Sequence, residues 1–251
     1  MRIQYLQKLE FKSIMGEKNR QIGHYSSSQK ILLVGEGDFS FSACLARAFR
    51  SAANMVATTL ESEDTLWTEH WSSEAHLEEL ERRGCLVLYE VDVYEMHQHP
   101  TLMRMKFDII IFNFPHAGHY SWLCERDDEL IQDLLKAFFK SARGMLSKGG
   151  EVHVSHRDDY PYDQWKLKEL AEKAGLVLKE KVWFEKSNYP GYHNKRGGGI
   201  QSNKKFPLNE CYTFKFSLKH ETSHELKPAC NQTTSTLSDD ISDALNSMHL
   251  K

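Results

Sequence analysis

Residues 31–40 read I-L-L-V-G-E-G-D-F-S and carry the strongest structural signal in the chain. Four consecutive apolar residues ending at a glycine are typical of a short strand that is buried on both faces of a parallel sheet. Phe41, Leu45 and Phe49 then recur at helical spacing. The stretch therefore predicts a strand, a glycine turn and a helix, the unit from which ligand-binding α/β sheets are built.

Strand-like and helix-like patterns alternate along the rest of the chain. Further strands are expected at 55–60, 86–91, 108–112, 151–155, 176–184 and 211–218, and helices at 41–49, 73–83, 128–146 and 163–174. No helical pattern separates the last two strands, which predicts an antiparallel final pair. We therefore expect an α/β fold with a mostly parallel seven-stranded sheet and a terminal antiparallel hairpin, which is the usual layout of Rossmann-like methyltransferases.

Composition excludes several classes of protein. Of the 251 residues 40% are hydrophobic and 27% are charged, with a net charge of −3, which is ordinary for a globular chain. No apolar run approaches the roughly 20 residues of a membrane helix, and the charged N-terminus does not resemble a secretory signal. Five scattered cysteines without a C-x-x-C pair argue against a disulfide scaffold or a cysteine zinc site. We expect an intracellular, reducing compartment, no membrane partner and no bound metal.

Three regions are predicted along the chain. Residues 1–29 are polar and basic and are interpreted as an N-terminal arm. Residues 30–218 form the Rossmann-like domain. Residues 219–251 are poor in large apolar groups and rich in Ser, Thr and Asp, which indicates a disordered tail. We expect the protein to be a monomer.

The glycine turn after the first strand is the first candidate binding site. Its glycines allow close backbone approach to a ligand, and the following helix offers unpaired amides. A dinucleotide site would need a third glycine where Ser40 stands, and the acids Glu36 and Asp38 argue against a pyrophosphate. Such acids suit S-adenosylmethionine, which is cationic and carries hydroxyl groups. The alternative interpretation is a structural turn that binds no ligand. If the turn does bind the cofactor, the candidate residues are Gly35, Glu36, Gly37, Asp38, Phe39 and Ser40.

Two acids follow the second and third predicted strands. Glu61, with Glu63 as the fallback, can accept hydrogen bonds from ribose hydroxyls, and Asp92 can accept one from an adenine amino group. Each residue also has a structural interpretation. In the structural interpretation, Glu61 stabilises the first turn of a helix, where acidic residues are favoured, and Asp92 caps a turn.

The segment F-D-I-I-I-F-N-F-P-H-A-G (107–118) places a polar turn directly after a buried strand. Asn113, Phe114, Pro115 and His116 form an Asn-x-Pro-aromatic layout that also occurs in amino-methylating enzymes. An Asn side chain can hold a planar nitrogen beside a methyl donor. We predict Asn113, Pro115 and His116 as catalytic residues, with Asn113 and Phe114 also at the cofactor, against the alternative of a plain loop.

Two further segments are rich in functional side chains. His153 and His156 are three positions apart in a predicted strand, so they point to opposite faces and do not form a metal site. Y-P-G-Y-H-N-K-R-G-G-G (189–199) interleaves aromatic and basic groups, which suits stacking on bases and contact with phosphates. The alternative interpretation is a solvated hairpin loop without a ligand. The candidate RNA-binding residues are Tyr189, Tyr192, His193, Lys195, Arg196, Lys204 and Lys205.

Five motifs together resemble the 25S ribosomal RNA (uridine-N3)-methyltransferase-like family. They are VGEGDFSFS (34–42), TLESE (59–63), FNFPHAG (112–118), GGEVHVSH (149–156) and YPGYHNKRGGG (189–199). The resemblance covers about residues 29–218. It implies a class I methyltransferase fold, S-adenosylmethionine as donor, and uridine N3 of large-subunit ribosomal RNA, free or in a pre-ribosome, as acceptor. It also implies a nucleolar, nuclear or cytoplasmic location, and cofactor contacts at Gly35, Glu36, Gly37, Glu61 and Asp92.

Three functions are compatible with these observations. The first is an S-adenosylmethionine-dependent RNA methyltransferase. The second is a non-catalytic RNA-binding module that has kept the fold, against which the acid at Glu61 and the Asn113 turn argue. The third is a nicotinamide-dependent oxidoreductase, which the missing third glycine disfavours.

Overall fold

The computed structural model describes residues 18–70, 72–116, 127–195 and 204–219. Within these ranges the strands are β1 (Gln21–Ile22), β2 (Tyr25–Ser26), β3 (Ile31–Val34), β4 (Met55–Thr58), β5 (Leu86–Leu88), β6 (Phe107–Asn113), β7 (Leu146–Arg157), β8 (Leu176–Trp183) and β9 (Cys211–Leu218). The α-helices are α1 (Ser40–Phe49), α2 (Glu63–Glu69), α3 (Ser73–Arg82), α4 (Asp127–Met145) and α5 (Leu167–Lys173).

Seven strands form one sheet in the order β5-β4-β3-β6-β7-β9-β8. Strands β5, β4, β3, β6 and β7 are parallel, and β9 is antiparallel to both of its neighbours. This confirms the predicted fold, including the antiparallel final pair. The chain runs outward from β3 to β4 and β5, and then returns to β6 on the other side of β3. Sheets of this kind bind ligands at such a reversal, beyond the carboxyl ends of the strands.

The sheet is buried between two apolar layers, which explains why β3 is apolar at every position. Ile31 and Leu33 pack with α1 residues such as Phe41. Leu32 and Val34 pack on the opposite face with α4 and α5. All four side chains are nearly inaccessible to solvent, and burying each contributes about 1.5–3 kcal/mol.

Several element boundaries differ from the sequence prediction. Helix α5 begins at Leu167 and not at 163, because Lys166 has a φ of 55° and the preceding residues form a 3-10 turn, Tyr162–Trp165. Strand β7 begins at Leu146, five residues earlier than the predicted 151. Helix α2 has no counterpart among the predicted elements. Its sequence, EDTLWTE, has no apolar stripe, and among its described side chains only Leu66 is fully buried.

The last residues assigned to the N-terminal arm are folded onto the domain. Strands β1 and β2 form a short antiparallel hairpin. Tyr25 is 1% exposed, and its ring packs edge-on against Phe41 and at a tilt against Tyr189. In the part of the chain that is described, no helix has the length and apolar character needed to cross a membrane.

Candidate active site

A cavity of about 500 Å³ lies at the carboxyl edge of the sheet, where the strand order reverses. The turn after β3 and the end of β6 both line it, because these strands are parallel neighbours with Val34 opposite Phe112. Every residue that the sequence assigns to the cofactor lines this cavity: Gly35, Glu36, Gly37, Asp38, Phe39, Ser40, Glu61, Asp92, Asn113 and Phe114.

The two glycines of the turn have different structural roles. Gly35 has a φ of +66°, and a Cβ there would stand 2.6 Å from a ring carbon of Phe112. Gly37 does not have a left-handed φ, and a Cβ there would meet only His70, at 3.9 Å. The fold thus requires glycine at position 35, whereas glycine at position 37 leaves space on the side of the cavity.

Glu36 is buried beneath the turn and ties it to α1. One carboxylate oxygen accepts hydrogen bonds from the Ser42 backbone N–H at 3.1 Å and from the Ser42 hydroxyl at 2.7 Å. Burial raises the pKa of Glu36 to about 7, although these two bonds oppose the shift. Glu36 therefore titrates near neutral pH.

Asp38 connects the turn to several other parts of the chain. Its Oδ1 accepts from the Ser40 backbone N–H at 3.0 Å, near the start of α1. Its Oδ2 lies 3.1 Å from Lys195 Nζ and accepts from the Ser72 hydroxyl at 3.3 Å. Burial alone would raise the pKa of Asp38, but the Ser40 hydrogen bonds and the charge of Lys195 outweigh it and lower the pKa. Asp38 is therefore ionised, and it is 4% exposed.

A backbone hydrogen bond joins the segments that follow β4 and β5, which carry the acids Glu61 and Asp92. The Glu61 carbonyl accepts from the Glu90 N–H at 3.1 Å. Asp92 is exposed, and its Oδ1 accepts from the Tyr94 N–H at 2.9 Å. Asp92 thus caps a turn and also lines the cavity, so the two interpretations of this residue are compatible.

The Asn113 side chain places a polar amide in the cavity wall. Both of its amide atoms are shielded from solvent, and neither has a hydrogen-bond partner within the described residues. Strand β6 fixes its backbone, since Asn113 pairs with Ser155 of β7. A buried amide without partners is costly for the fold, which indicates a group positioned for a ligand.

The three residues after Asn113 shape the end of the cavity. Phe114 has a φ of 49°, an uncommon value for a residue with a side chain, and its N–H donates to the Ser155 carbonyl at 2.7 Å. Pro115 is buried, whereas His116 is exposed and lines the cavity. The structure brings three of the four residues of this turn to the cavity, whereas Pro115, which was predicted as catalytic, does not line it.

The rings of Tyr189 and Tyr192, predicted to offer their faces to RNA bases, are both buried in this structure. Tyr189 is 4% exposed, and its ring stacks on Phe184 and contacts Phe41. Tyr192 is 9% exposed and lines the cavity from within. Both rings pack in the core between the end of β8 and α1, so neither presents a face to a base at the protein surface.

Among the predicted RNA-binding residues, Lys195 is largely buried at the cavity, whereas Lys204 and Lys205 are exposed at the surface. Lys195 is 10% exposed at its side chain and is paired with Asp38, and His193 also lines the cavity, with Nδ1 3.7 Å from the same carboxylate. Arg196 lies outside the described residues. The cavity is also lined by Phe206, Leu130, Leu134 and His70, which the sequence analysis did not identify. Of these four, only Phe206 had a signal in the sequence, because it directly follows Lys204 and Lys205.

The arrangement fits S-adenosylmethionine. The cavity has the volume of a typical ligand site, one wall is a glycine turn that leads into a helix N-terminus, and Asn113 presents unpartnered buried amide atoms. Glu61 and Asp92 supply acceptors on the side of β4 and β5. Groups of three or more potential metal ligands are not found within the described ranges. His153 and His156 point to opposite faces, as predicted: His153 contacts the Tyr25 ring and His156 the Trp165 ring.

Comparison with known proteins identifies relatives over most of the chain. Heavy metal-associated isoprenylated plant protein 41 of Arabidopsis thaliana is 47% identical over 204 residues, which are 80% of this chain and 39% of that protein. The 25S rRNA (uridine(2634)-N(3))-methyltransferase of Saccharomyces cerevisiae is 24% identical over 261 residues, covering 81% of this chain and 77% of that enzyme. This chain therefore spans well under half of the plant relative.

Among solved structures, a TehB-like SAM-dependent methyltransferase from Corynebacterium glutamicum is similar, with a TM-score of 0.45 and 15% identity, over 86% of this chain and 97% of that one. A family model described as rRNA (uridine-N3-)-methyltransferase BTM5-like matches residues 32–196, from β3 to the segment that carries Lys195. This match includes the glycine turn, the Asn113 turn and most of the cavity wall. The chain therefore belongs to the rRNA (uridine-N3-)-methyltransferase BTM5-like family, whose members use S-adenosylmethionine.

Proposed function

We propose that this protein transfers a methyl group from S-adenosylmethionine to N3 of a uridine in large-subunit ribosomal RNA. The observation that carries the proposal is the buried, unpartnered amide of Asn113 at the wall of the cavity. The name of the yeast relative supports the choice of acceptor. In this proposal the partner is ribosomal RNA or a pre-ribosome, and the location is nucleolar, nuclear or cytoplasmic.

The cofactor would be held by the edges of β3, β4 and β5. The backbone at Gly35 and Gly37 would approach it closely, Glu61 would accept from ribose hydroxyls, and Asp92 would accept from the adenine amino group. Asp38 would act indirectly, because its carboxylate is already engaged by Ser40, Ser72 and Lys195. When bound, S-adenosylmethionine supplies an electrophilic methyl group on a sulfonium centre.

The acceptor would be oriented by the turn after β6. Asn113 offers one carbonyl oxygen and two N–H donors, which can hold the polar edge of a uracil ring. Uridine N3 carries a proton at neutral pH, so transfer requires that this proton be removed. His116 is exposed at the cavity and can either accept the proton or stack on the base. A paired base would have to leave its stack to reach this position.

The basic residues near the cavity and the three regions of the chain also have roles in this proposal. Lys204, Lys205 and Arg196 would contact RNA phosphates, and His193 would line the entrance. The Rossmann-like domain of residues 30–218 would be the catalytic unit, with residues 1–29 and 219–251 as flanking segments. The protein is proposed to act as a monomer.

A direct test is incubation with labelled S-adenosylmethionine and unmodified large-subunit RNA, followed by mass mapping of the product nucleoside. We expect 3-methyluridine from the wild-type protein and a large loss with Asn113→Ala. A methylated nucleoside other than 3-methyluridine would contradict the proposed acceptor. Equal product from folded Asn113→Ala would contradict the proposed site.

A further inference from the structure

Lys186 lies at the same edge of the sheet as the cavity, although it does not line it. It follows the end of β8, and β8 runs in the same direction as β7 because β9 lies antiparallel between them. The end of β8 therefore emerges beside the carboxyl ends of the parallel strands. Lys186 Nζ is 5.8 Å from the ring centre of Tyr192, which lines the cavity.

A buried amide fixes the ammonium group of Lys186. Nζ donates to Asn194 Oδ1 at 2.5 Å, and Asn194 Nδ2 donates to the Phe206 carbonyl at 2.5 Å. Asn194 is 4% exposed, so its orientation is determined by these two contacts. Phe206 in turn lines the cavity, with its ring edge-on to Phe114 at 5.2 Å. Lys186 is thus connected to the cavity mouth by a chain of oriented groups.

The charge of Lys186 is not neutralised by a carboxylate within the described residues. Its partner, the Asn194 amide, is neutral, and the adjacent Glu185 carboxylate accepts from the Ser187 N–H and hydroxyl. Other lysines of this domain behave differently, since Lys181 pairs with Asp158 and Lys215 with Glu180.

A second cation lies nearby. Lys205 directly precedes Phe206, whose carbonyl accepts from the Asn194 amide that also holds Lys186 Nζ. Burial, and then the charge of Lys205, lower the pKa of Lys186. Lys205 is exposed and likewise makes no ion pair in the described part of the chain. Two close cations without acidic partners are stabilised by binding an anion.

We propose that Lys186, positioned by Asn194 and assisted by Lys205, binds a phosphate that flanks the acceptor nucleotide. The ligand is a backbone phosphodiester of single-stranded RNA whose base enters the cavity past Phe206. The proposal deepens the proposed function, because it names the group that would hold the acceptor strand. Asn194 acts here as a positioning residue, and Lys186 as the phosphate contact.

The test measures RNA affinity as a function of salt. A fluorescently labelled single-stranded RNA is titrated with wild-type protein, Lys186→Met and Lys186→Arg at several salt concentrations. One lost phosphate contact should reduce the slope of log K against log salt by about 0.7. Lys186→Met should show this reduction, with an affinity loss of about five-fold at low salt, and Lys186→Arg should retain most of the slope.

Lys179→Met is the matched control, because Lys179 is an exposed lysine of β8, the strand that precedes Lys186. It removes the same charge and should leave the slope unchanged. Calorimetric affinity for S-adenosylmethionine should be the same for all variants, which separates the phosphate contact from damage to the cavity. A slope for folded Lys186→Met equal to that of Lys179→Met would overturn the proposal.

The outcome is separable from that of the proposed function. If RNA binding depends on Lys186 but no 3-methyluridine forms, the phosphate contact stands and the assigned reaction fails. If 3-methyluridine forms and the slope is insensitive to Lys186, the reaction stands and this inference fails. Absence of RNA binding by the wild-type protein at low salt overturns both.

Discussion

Asp38 and Lys195 form an ion pair that joins the glycine turn to a segment far along the chain. The two charged groups are 3.1 Å apart, and their side chains are 4% and 10% exposed. Ser40 reinforces the connection, because its hydroxyl accepts from the His193 N–H at 2.9 Å. The segment predicted to bind RNA is thus docked on the turn predicted to bind the cofactor.

Replacing Lys195 by Met should weaken cofactor binding as well as stability. The change leaves the buried Asp38 carboxylate without its cation, and a hydrogen bond to a charged group contributes about 1.5–3 kcal/mol. Calorimetry with S-adenosylmethionine and denaturant unfolding measure the two effects. Lys204→Met removes an exposed charge from the same segment and should change neither. Equal cofactor affinities for both variants would show that the ion pair does not hold the turn.

The two glycines of the turn should respond differently to alanine. Gly35→Ala places a Cβ 2.6 Å from Phe112 at a left-handed φ, so it should lower the free energy of unfolding by at least about 1–2 kcal/mol. Gly37→Ala meets no close contact and should leave unfolding nearly unchanged, while its methyl group enters the cofactor space. We expect at least ten-fold weaker S-adenosylmethionine binding by Gly37→Ala. Wild-type affinity in that variant would place the cofactor elsewhere.

Asn113→Ala should separate activity from stability. Removing an amide that has no partner costs the fold no hydrogen bond, so the free energy of unfolding should stay the same or rise by about 1 kcal/mol. Turnover should fall by about a hundredfold or more, the usual cost of removing one preorganised polar contact. Single-turnover methylation and thermal unfolding of the same preparations check both parts. A clear loss of stability would show that the amide has a structural partner.

Two substitutions of His116 distinguish its possible roles. If His116 accepts the N3 proton, His116→Phe should lose about a hundredfold or more in rate. If it stacks on the base, Phe should preserve much of the rate and Ala should not. We favour stacking, because an exposed histidine is readily solvated and hydroxide can take the proton. The rate at several pH values is the measurement, and a low rate for Phe at every pH would exclude stacking as the sole role.

Glu36 should make folding stability decrease with pH. Its pKa is raised from 4.5 to about 7 in the folded protein, so the folded state holds the proton more tightly than the unfolded state does. Its contribution is fully present below pH 4.5 and is lost as the pH rises through 7. Glu36→Gln keeps the acceptor for Ser42 and removes the titration. The difference in unfolding free energy between the two proteins should therefore change over this range, and a constant difference would contradict the shifted pKa.

The sequence predicts those parts of the fold in which one strand or helix is recognisable alone. Strand β3 is apolar at each position because both of its faces are covered, and residues 109–112 of β6 are apolar for the same reason. The edge of the sheet at which the cavity lies can be predicted from these strands, because parallel strands bring their carboxyl ends together. The position of Asn113 at this edge could therefore be predicted, because it stands at the carboxyl end of a buried strand.

Tyr189 and Tyr192 show where such reasoning fails. A glycine-rich segment with aromatic and basic residues has the same composition whether its rings face solvent or the core. Their burial depends on Phe41 and Phe184, which come from distant parts of the chain. The same limitation applies to Tyr25, whose burial depends on contacts outside its own hairpin.

The dependence of the cofactor turn on Lys195 and His193 has a consequence for biosynthesis. Residues 31–58 can pair as soon as they leave the ribosome, but the contacts of Asp38 and Ser40 with residues 193–195 require most of the chain. Contacts of such large sequence separation form late in folding. A nascent chain that ends before residue 193 should thus contain the glycine turn without the contacts that hold it closed, and competence to bind the cofactor should be acquired only after residues 193–195 have been synthesised.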